Sequence, residues 1–184
     1  MDFFRVFDWD TRSKGAKFGG PFYIPRSRQG AGRHDLPQQD GVFYVSTDPI
    51  SAVAEAIQMY RNQTLNDIDF RIEDKRVQAL AHFRSARLRL VDLTDSNELA
   101  RRQIRPATVA THDRLVTQRL ALSIFEEGAD GFLWWSTLEA RWTNATLFQS
   151  RLRKKMHLAP PVLPLSIQLP ELRFAAQFLK IRLG

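Results

Sequence analysis

The 184-residue chain contains no cysteine. That absence excludes a disulfide framework, a thiolate zinc site and a cysteine nucleophile together. Nor does any run approach the ~20 apolar residues that a membrane-spanning helix requires. The opening segment, Met1-Asp2-Phe3-Phe4-Arg5-Val6-Phe7-Asp8, breaks every apolar stretch with an acid or an arginine, unlike a signal peptide. There is no Gly-x-Ser-x-Gly elbow, no phosphate-binding P-loop and no dinucleotide-binding glycine fingerprint. His34, His82, His112 and His157 lack metal-ligand spacing, so no metal is expected. Repeats and low-complexity tracts are missing too. A cytoplasmic protein with no membrane segment is the expectation.

What is present is ordinary globular material. Charged residues make up 26% and hydrophobic ones 43%, enough to bury a core, so a single domain over residues 1–184 is expected. The net charge is +7. A basic balance favours an anionic partner: nucleic acid, a membrane surface, a phosphate-bearing ligand or an acidic protein. The cations fall in small groups, Arg84/Arg87/Arg89, Arg101/Arg102/Arg105 and Arg151/Arg153/Lys154/Lys155, of which the last is densest. A solvated surface accounts for most of them.

The order of elements predicts an α+β fold with a mixed sheet. Phe3 to Asp8 reads as a strand. Thr11 to Asp40 is rich in Gly, Pro, Arg and Gln and reads as loop, with a short strand near Phe22-Tyr23-Ile24. Gly41 to Ser46 is a strand by its β-branched and aromatic content. Asp48-Pro49 then starts a helix running to about Tyr60, with Ile50, Val53, Ala54 and Ile57 as its buried stripe. Val77–Phe83 and Leu88–Leu93 read as strands, the second leading into the helix cap Thr94-Asp95-Ser96. His112–Glu127 is the best long helix, offering Leu115, Leu120, Leu122 and Phe125 to the core and stopping at Gly128. Gly131–Trp135 is a short apolar strand of the kind found at a sheet centre. Pro160-Pro161 marks a loop, followed by a strand near Ser166–Leu169 and a helix over Glu171–Lys180.

Several residues stand out against this background. Glu55 lies opposite the apolar stripe of its helix, among Ser51, Ala52, Ala56 and Met59, with no other charge between Pro49 and Met59. Small residues around one acid suit a pocket wall, whereas a solvated carboxylate is the plainer account. Arg33 follows Gly30 and Gly32, which let the backbone approach a ligand and a guanidinium clamp phosphate; otherwise it is a loop arginine in water. Tyr44 points to the opposite face from Phe43 and Val45, which suits core packing with a wet hydroxyl or a stacking platform. Ser136 ends the apolar Trp134-Trp135 strand.

Taken in order, these residues resemble the RES family, named for an arginine, a glutamate and a serine, whose members are bacterial toxins that consume NAD. Gly32-Arg33, Tyr44 and Glu55 match its first block, with Arg33, Tyr44 and Glu55 each eleven positions from the next. The Asp48-Pro49 helix start and Ala52-Val53-Ala54-Glu55 agree with it. Later matches are Leu90-Val91-Asp92-Leu93-Thr94, Thr117-Gln118-x-Leu120-Ala121, Gly128-x-x-Gly131 and the Ser136, Asn144, Leu147-Phe148 run. Arg5 resembles the family's early arginine. The chain departs from the pattern at His34, where Phe is usual, at Asp35, where Asn is common, and at Trp135, where a small residue or Pro is expected.

The resemblance implies a compact ADP-ribosyltransferase-like α+β domain, a mixed central β-sheet flanked by helices, with NAD as substrate. Glu55 would hold the ribose hydroxyls and set negative charge beside the ribosyl cation. Tyr44 would pack against the nicotinamide or its ribose. Arg33, helped by Arg5, would bind pyrophosphate or ribose oxygens, and Ser136 would bond the nicotinamide side. The acceptor would be phosphate, water or a protein target. A helix-turn-helix antitoxin of the Xre type is the implied partner. Two other readings stand beside this one: a basic nucleic-acid-binding or RNA-cleaving module using the histidines, and a non-catalytic RES-like domain kept for partner binding.

Overall fold

The computed structural model describes residues 1–72, 76–152 and 154–184. Its strands are β1 (Asp2–Trp9), β2 (Val42–Ser46), β3 (Thr64–Leu65), β4 (Arg71–Ile72), β5 (Arg76–Ser85), β6 (Leu90–Asp92), β7 (Gly131–Trp135), β8 (Thr143–Phe148), β9 (Met156–Pro164) and β10 (Arg182–Leu183). Its α-helices are α1 (Pro49–Ile57), α2 (Ser96–Arg101), α3 (Pro106–Ala110), α4 (Arg114–Glu126) and α5 (Pro170–Leu179). Parallel and antiparallel strand pairs both occur, so the class is α+β with mixed pairing. The chain divides into two compact units, one of residues 1–23, 46–84 and 157–184, the other of residues 24–45 and 85–156.

In the first unit, β1 and β5 pair antiparallel from Asp2↔Arg84 to Trp9↔Val77, and Ser46 lies opposite Phe4. Helix α1 packs on β1 and α5. Asp48 caps α1 by accepting the Ser51 N–H at 2.8 Å, and Pro49 supplies a first-turn residue whose missing N–H is not needed. The α-helix ends at Ile57 and tightens into a 3-10 turn over Gln58–Tyr60. Its buried surface is broader than the predicted stripe: Ser51 and Ala52 are buried with Val53, Ala54 and Ile57, whereas Ile50 is only half-buried. Packing against both a strand and a helix is the reason, because two neighbours cover more than one stripe. Helix α5 buries Leu172, Ala175, Ala176 and Leu179 at helical spacing and ends on Lys180 in the left-handed conformation, φ 58°.

Three predictions fail here. No strand forms at Phe22-Tyr23-Ile24; successive turns through Gly15, Gly19 and Gly20 take up backbone groups of this stretch instead. Pro160 and Pro161 lie inside β9, not in a loop, and the expected strand at Ser166–Leu169 is a turn, closed by the Leu169 N–H on the Ser166 carbonyl. Among the described strands β9 pairs with β5 alone, and a strand with a free side accommodates residues that cannot donate.

In the second unit the strands run β2-β8-β7-β6. Strands β7 and β8 are antiparallel, β6 and β7 parallel. The apolar β7 is the inner strand its composition predicts. Phe132 and Trp134 join Val42, Leu93, Ile124 and Phe148 in the core. Helix α4 starts two residues inside its predicted span because Asp113 caps it, accepting from the Leu115 N–H at 2.9 Å. Its fully buried residues are Thr117, Ala121 and Ile124; Leu120, Leu122 and Phe125 pack against the core as expected, whereas Leu115 is 68% exposed. A polar residue, Thr117, occupies the inner face for a reason given below. Strand β8 carries no strand signal of its own; Asn144 and Thr146 are buried by their neighbours in the sheet.

Gly131 sits where β7 presses on β8: a Cβ there would run into the Thr146 carbonyl oxygen and lie 2.9 Å from the Leu147 side chain. Gly131→Ala should therefore cost about 1–3 kcal/mol through overpacking against backbone. Urea unfolding of the two proteins checks this by the shift in midpoint.

Candidate functional site

The loop before β2 is held together by one carboxylate. Asp35 is 2% exposed, and its Oδ2 accepts the Gly30 N–H at 2.7 Å and the Gly32 N–H at 2.6 Å. Its Oδ1 accepts the Tyr44 hydroxyl at 2.7 Å, and the Tyr44 oxygen in turn accepts the His34 N–H at 2.9 Å. Tyr44 is thus no tyrosine with a wet hydroxyl. Burial first, then the charge of Asp35, holds its phenol protonated far above the usual range. Gly32 must be glycine here, because a Cβ would stand 2.6 Å from Asp35 Oδ1 and 2.7 Å from the Tyr44 oxygen.

Helix α4 fastens the same loop from the other side. Gln118 Nε2 donates to the carbonyls of Gly30 and Gly32, at 3.1 and 2.9 Å, and the Thr117 hydroxyl donates to the Arg33 carbonyl. That is why Thr117 faces inward. The Arg33 side chain is half-buried, not a loop arginine in water. One guanidinium nitrogen, Nη2, donates to the carbonyls of Val109 and Thr111, at 2.7 and 3.0 Å, and the guanidinium carbon lies 5.0 Å from the Trp134 ring centroid. The arginine is anchored by the chain end of α3 and by an aromatic face.

His34 fills the position beneath. It is fully buried and meets Phe132 and Trp134 edge-on, with centroids at 4.8 and 4.9 Å. Its Nδ1 lies 2.8 Å from the Thr146 hydroxyl, which also accepts the Trp134 indole N–H at 3.0 Å. Burial, then the neighbouring Arg33 charge, lowers its pKa to about 3, so the ring is neutral at ordinary pH. His34 replaces a core aromatic with a core aromatic, and it is no surface acid or base.

The remaining sequence candidates lie as follows. Ser136 is buried at the end of β7; its N–H donates to the Trp142 carbonyl at 2.8 Å and its hydroxyl accepts the Leu138 N–H at 3.1 Å, which shapes the turn that follows. Glu55 and Arg5 belong to the first unit. Glu55 is half-buried on α1, its Oε2 accepting from Gln58 Nε2 at 3.0 Å. Ser51 and Ala52 beside it are buried, Ala56 is half-buried and Met59 is exposed, so Glu55 lies at the edge of the buried surface of α1. Arg5, on β1, donates to the Tyr23 carbonyl at 3.0 Å, and desolvation lowers its pKa to about 10, against the raising influence of Asp8, leaving it charged at neutral pH. The structure therefore joins Arg33 and Tyr44 in one network within the second unit. Asp35, Thr117 and Gln118 complete that network; the sequence marks them through the family pattern, Thr117-Gln118 as a match and Asp35 as a departure, and not through any signal of their own.

The cationic groups are largely engaged within the fold. Arg151 donates to the carbonyls of Ala129 and Phe125 and lies 4.2 Å from the Phe125 ring centroid. Lys155 Nζ contacts both oxygens of Asp130, at 2.6 and 2.8 Å. Arg101 and Arg102 pair with Glu98, and Arg102 also with Glu127. Arg153 lies outside the described residues. No helix among the described residues is long and apolar enough to cross a membrane.

Comparison with known proteins adds the following. The family model of the RES domain matches residues 3–170. A crystal structure of the M. tuberculosis MbcT-MbcA toxin-antitoxin complex contains a similar fold, with a TM-score of 0.66 at 12% identity over 98% of this chain and 88% of that one. No curated protein matches.

The buried neutral His34 has a pH signature. Above about pH 6.5 the ring is neutral both folded and unfolded. Below it, the unfolded chain gains a proton that the folded chain refuses down to about pH 3, so stability falls as pH falls. The stability of wild type relative to His34→Phe should therefore drop by about 2 kcal/mol between pH 7 and pH 5. Paired urea unfolding at the two pH values measures it.

Proposed function

Because the chain belongs to the RES domain family, we propose that it is a toxin that consumes NAD by breaking the bond between nicotinamide and ribose. The observation that carries the reading is the anchored Arg33. A cation held half-buried by two carbonyls and an aromatic face is set in position before any ligand arrives, as an anion-binding guanidinium should be. The family match extends over Arg5, Arg33, Tyr44, Glu55 and Ser136 alike.

In this reading the C1′–N1 bond breaks with its electron pair leaving on the nicotinamide nitrogen, and positive charge develops on the ribose. The protein's part is to position NAD and to stabilise that charge. Glu55 holds the ribose hydroxyls and supplies the negative charge. Arg33 and Arg5 take pyrophosphate or ribose oxygens, and Ser136 bonds the nicotinamide side. An acceptor oxygen, from phosphate, water or a protein target, then adds to C1′ and gives up its proton. The cytoplasm is the compartment where such an enzyme meets its substrate. The partner is an antitoxin, which the origin of the similar M. tuberculosis fold in a toxin-antitoxin complex supports, and the family resemblance implies the Xre helix-turn-helix type. An RNA-cleaving module draws less support, since His34 is a core residue and Arg151 and Lys155 are engaged internally.

Incubation of the pure protein with NAD should release nicotinamide. Glu55→Gln should fold with an unchanged melting curve and lose about 10²–10³ in rate, as removal of one such electrostatic group does. Equal turnover by the variant would return Glu55 to a structural role. In bacteria, expression of the wild type should deplete NAD before RNA is lost, and the Glu55→Gln form should be harmless. Growth arrest at constant NAD would overturn the reading.

A further inference from the structure

We propose that Asp35 sets the ligand preference of Tyr44: by holding the phenol proton it leaves Tyr44 an electron-rich ring that favours a cationic pyridinium over a neutral dihydropyridine. The inference rests on the NAD reading for the ligand and for its contact with Tyr44, and on the geometry of the loop for the bond between Asp35 and Tyr44.

In the 2.7 Å contact the Tyr44 phenol is the donor and Asp35 Oδ1 the acceptor. The phenol oxygen already accepts the His34 N–H at 2.9 Å. The one hydroxyl proton is committed inward, and Tyr44 has none to give a ligand. Asp35 cannot turn aside, because its other oxygen is held by the Gly30 and Gly32 N–H groups at 2.7 and 2.6 Å. The close approach at Gly32 leaves no room for another group between them.

A phenol that donates strongly to an anion gains partial phenolate character, and its ring face becomes more negative. Such a face attracts a flat cation. The nicotinamide ring of NAD⁺ is a pyridinium cation, whereas that of NADH is neutral. Cleavage also turns the cation into neutral nicotinamide, so the same preference weakens the hold on the product. Asp35 touches neither ligand nor reacting atoms in this account; it is a positioning residue acting through Tyr44.

The test measures binding of NAD⁺ and of NADH by calorimetry, in the Glu55→Gln background so that the substrate survives. The parent should prefer NAD⁺ by about tenfold, within the range expected of one cation–π contact. Asp35→Asn should lose most of that preference, since an amide can donate to the phenol oxygen and reverse the bond. Tyr44→Phe should lose it to the same degree, and adding Asp35→Asn to Tyr44→Phe should change nothing further. A bare Coulomb attraction between Asp35 and the cation would instead lower the ratio equally in both backgrounds, which would overturn the proposal. A preference unaltered by Asp35→Asn would overturn it too while leaving the NAD reading intact. Failure of either dinucleotide to bind would overturn both. Should Asp35→Asn unfold, the Tyr44→Phe ratio still decides, because that variant keeps the carboxylate and removes the polarised hydroxyl.

Discussion

A carboxylate buried beside an apolar core is tolerable only when nearly all its lone pairs are used. Asp35 meets that condition with two backbone N–H groups and one phenol, and much of the second unit follows from the need. Gly30 and Gly32 must present their amides to one oxygen, so the loop curls tightly between them. Tyr44 must bring its hydroxyl to the other, so the middle of β2 lies beside the loop. Thr117 and Gln118 take the carbonyls that the curl leaves over, which forces a polar residue onto the inner face of α4. Arg33 rides on this framework and cannot swing freely.

The interval from Tyr44 to Glu55 crosses the division between the two units within the chain. Tyr44 is anchored by the loop of the second; Ser46, two residues on, pairs with Phe4 of the first. Asp48 then caps α1 and fixes where its helical phase begins, which in turn fixes the direction of Glu55.

Part of the protein's positive charge is engaged by its own backbone and acids. Arg33, Arg5 and Arg151 all donate to main-chain carbonyls, where a planar guanidinium reaches two oxygens that a lysine would not hold as well. Such arginines contribute to the net charge while the fold fixes where they stand. Net charge alone therefore says little about partners in this chain, and the distribution of partners within the fold says more.

The amino-acid sequence by itself determines the elements whose signals are local. The Asp48-Pro49 start of α1, the Asp95 and Asp113 caps, the apolar β7 and the left-handed glycine at 128 are each decided by a few adjacent residues. The order of the Arg33, Tyr44, Glu55 and Ser136 motifs is equally a property of the sequence. What only the tertiary structure decides is the environment of each. Leu115 is apolar yet exposed and Thr117 polar yet buried, because a loop 84 residues away needs a hydrogen-bond donor. Pro160 and Pro161 enter a strand because β9 has one partner among the described strands, which leaves a side that need not donate. His34 and Asp35 read as departures from a pattern in one dimension and as the centre of a network in three. Local propensities act over a few residues, whereas satisfying a buried polar group requires partners from wherever the fold supplies them.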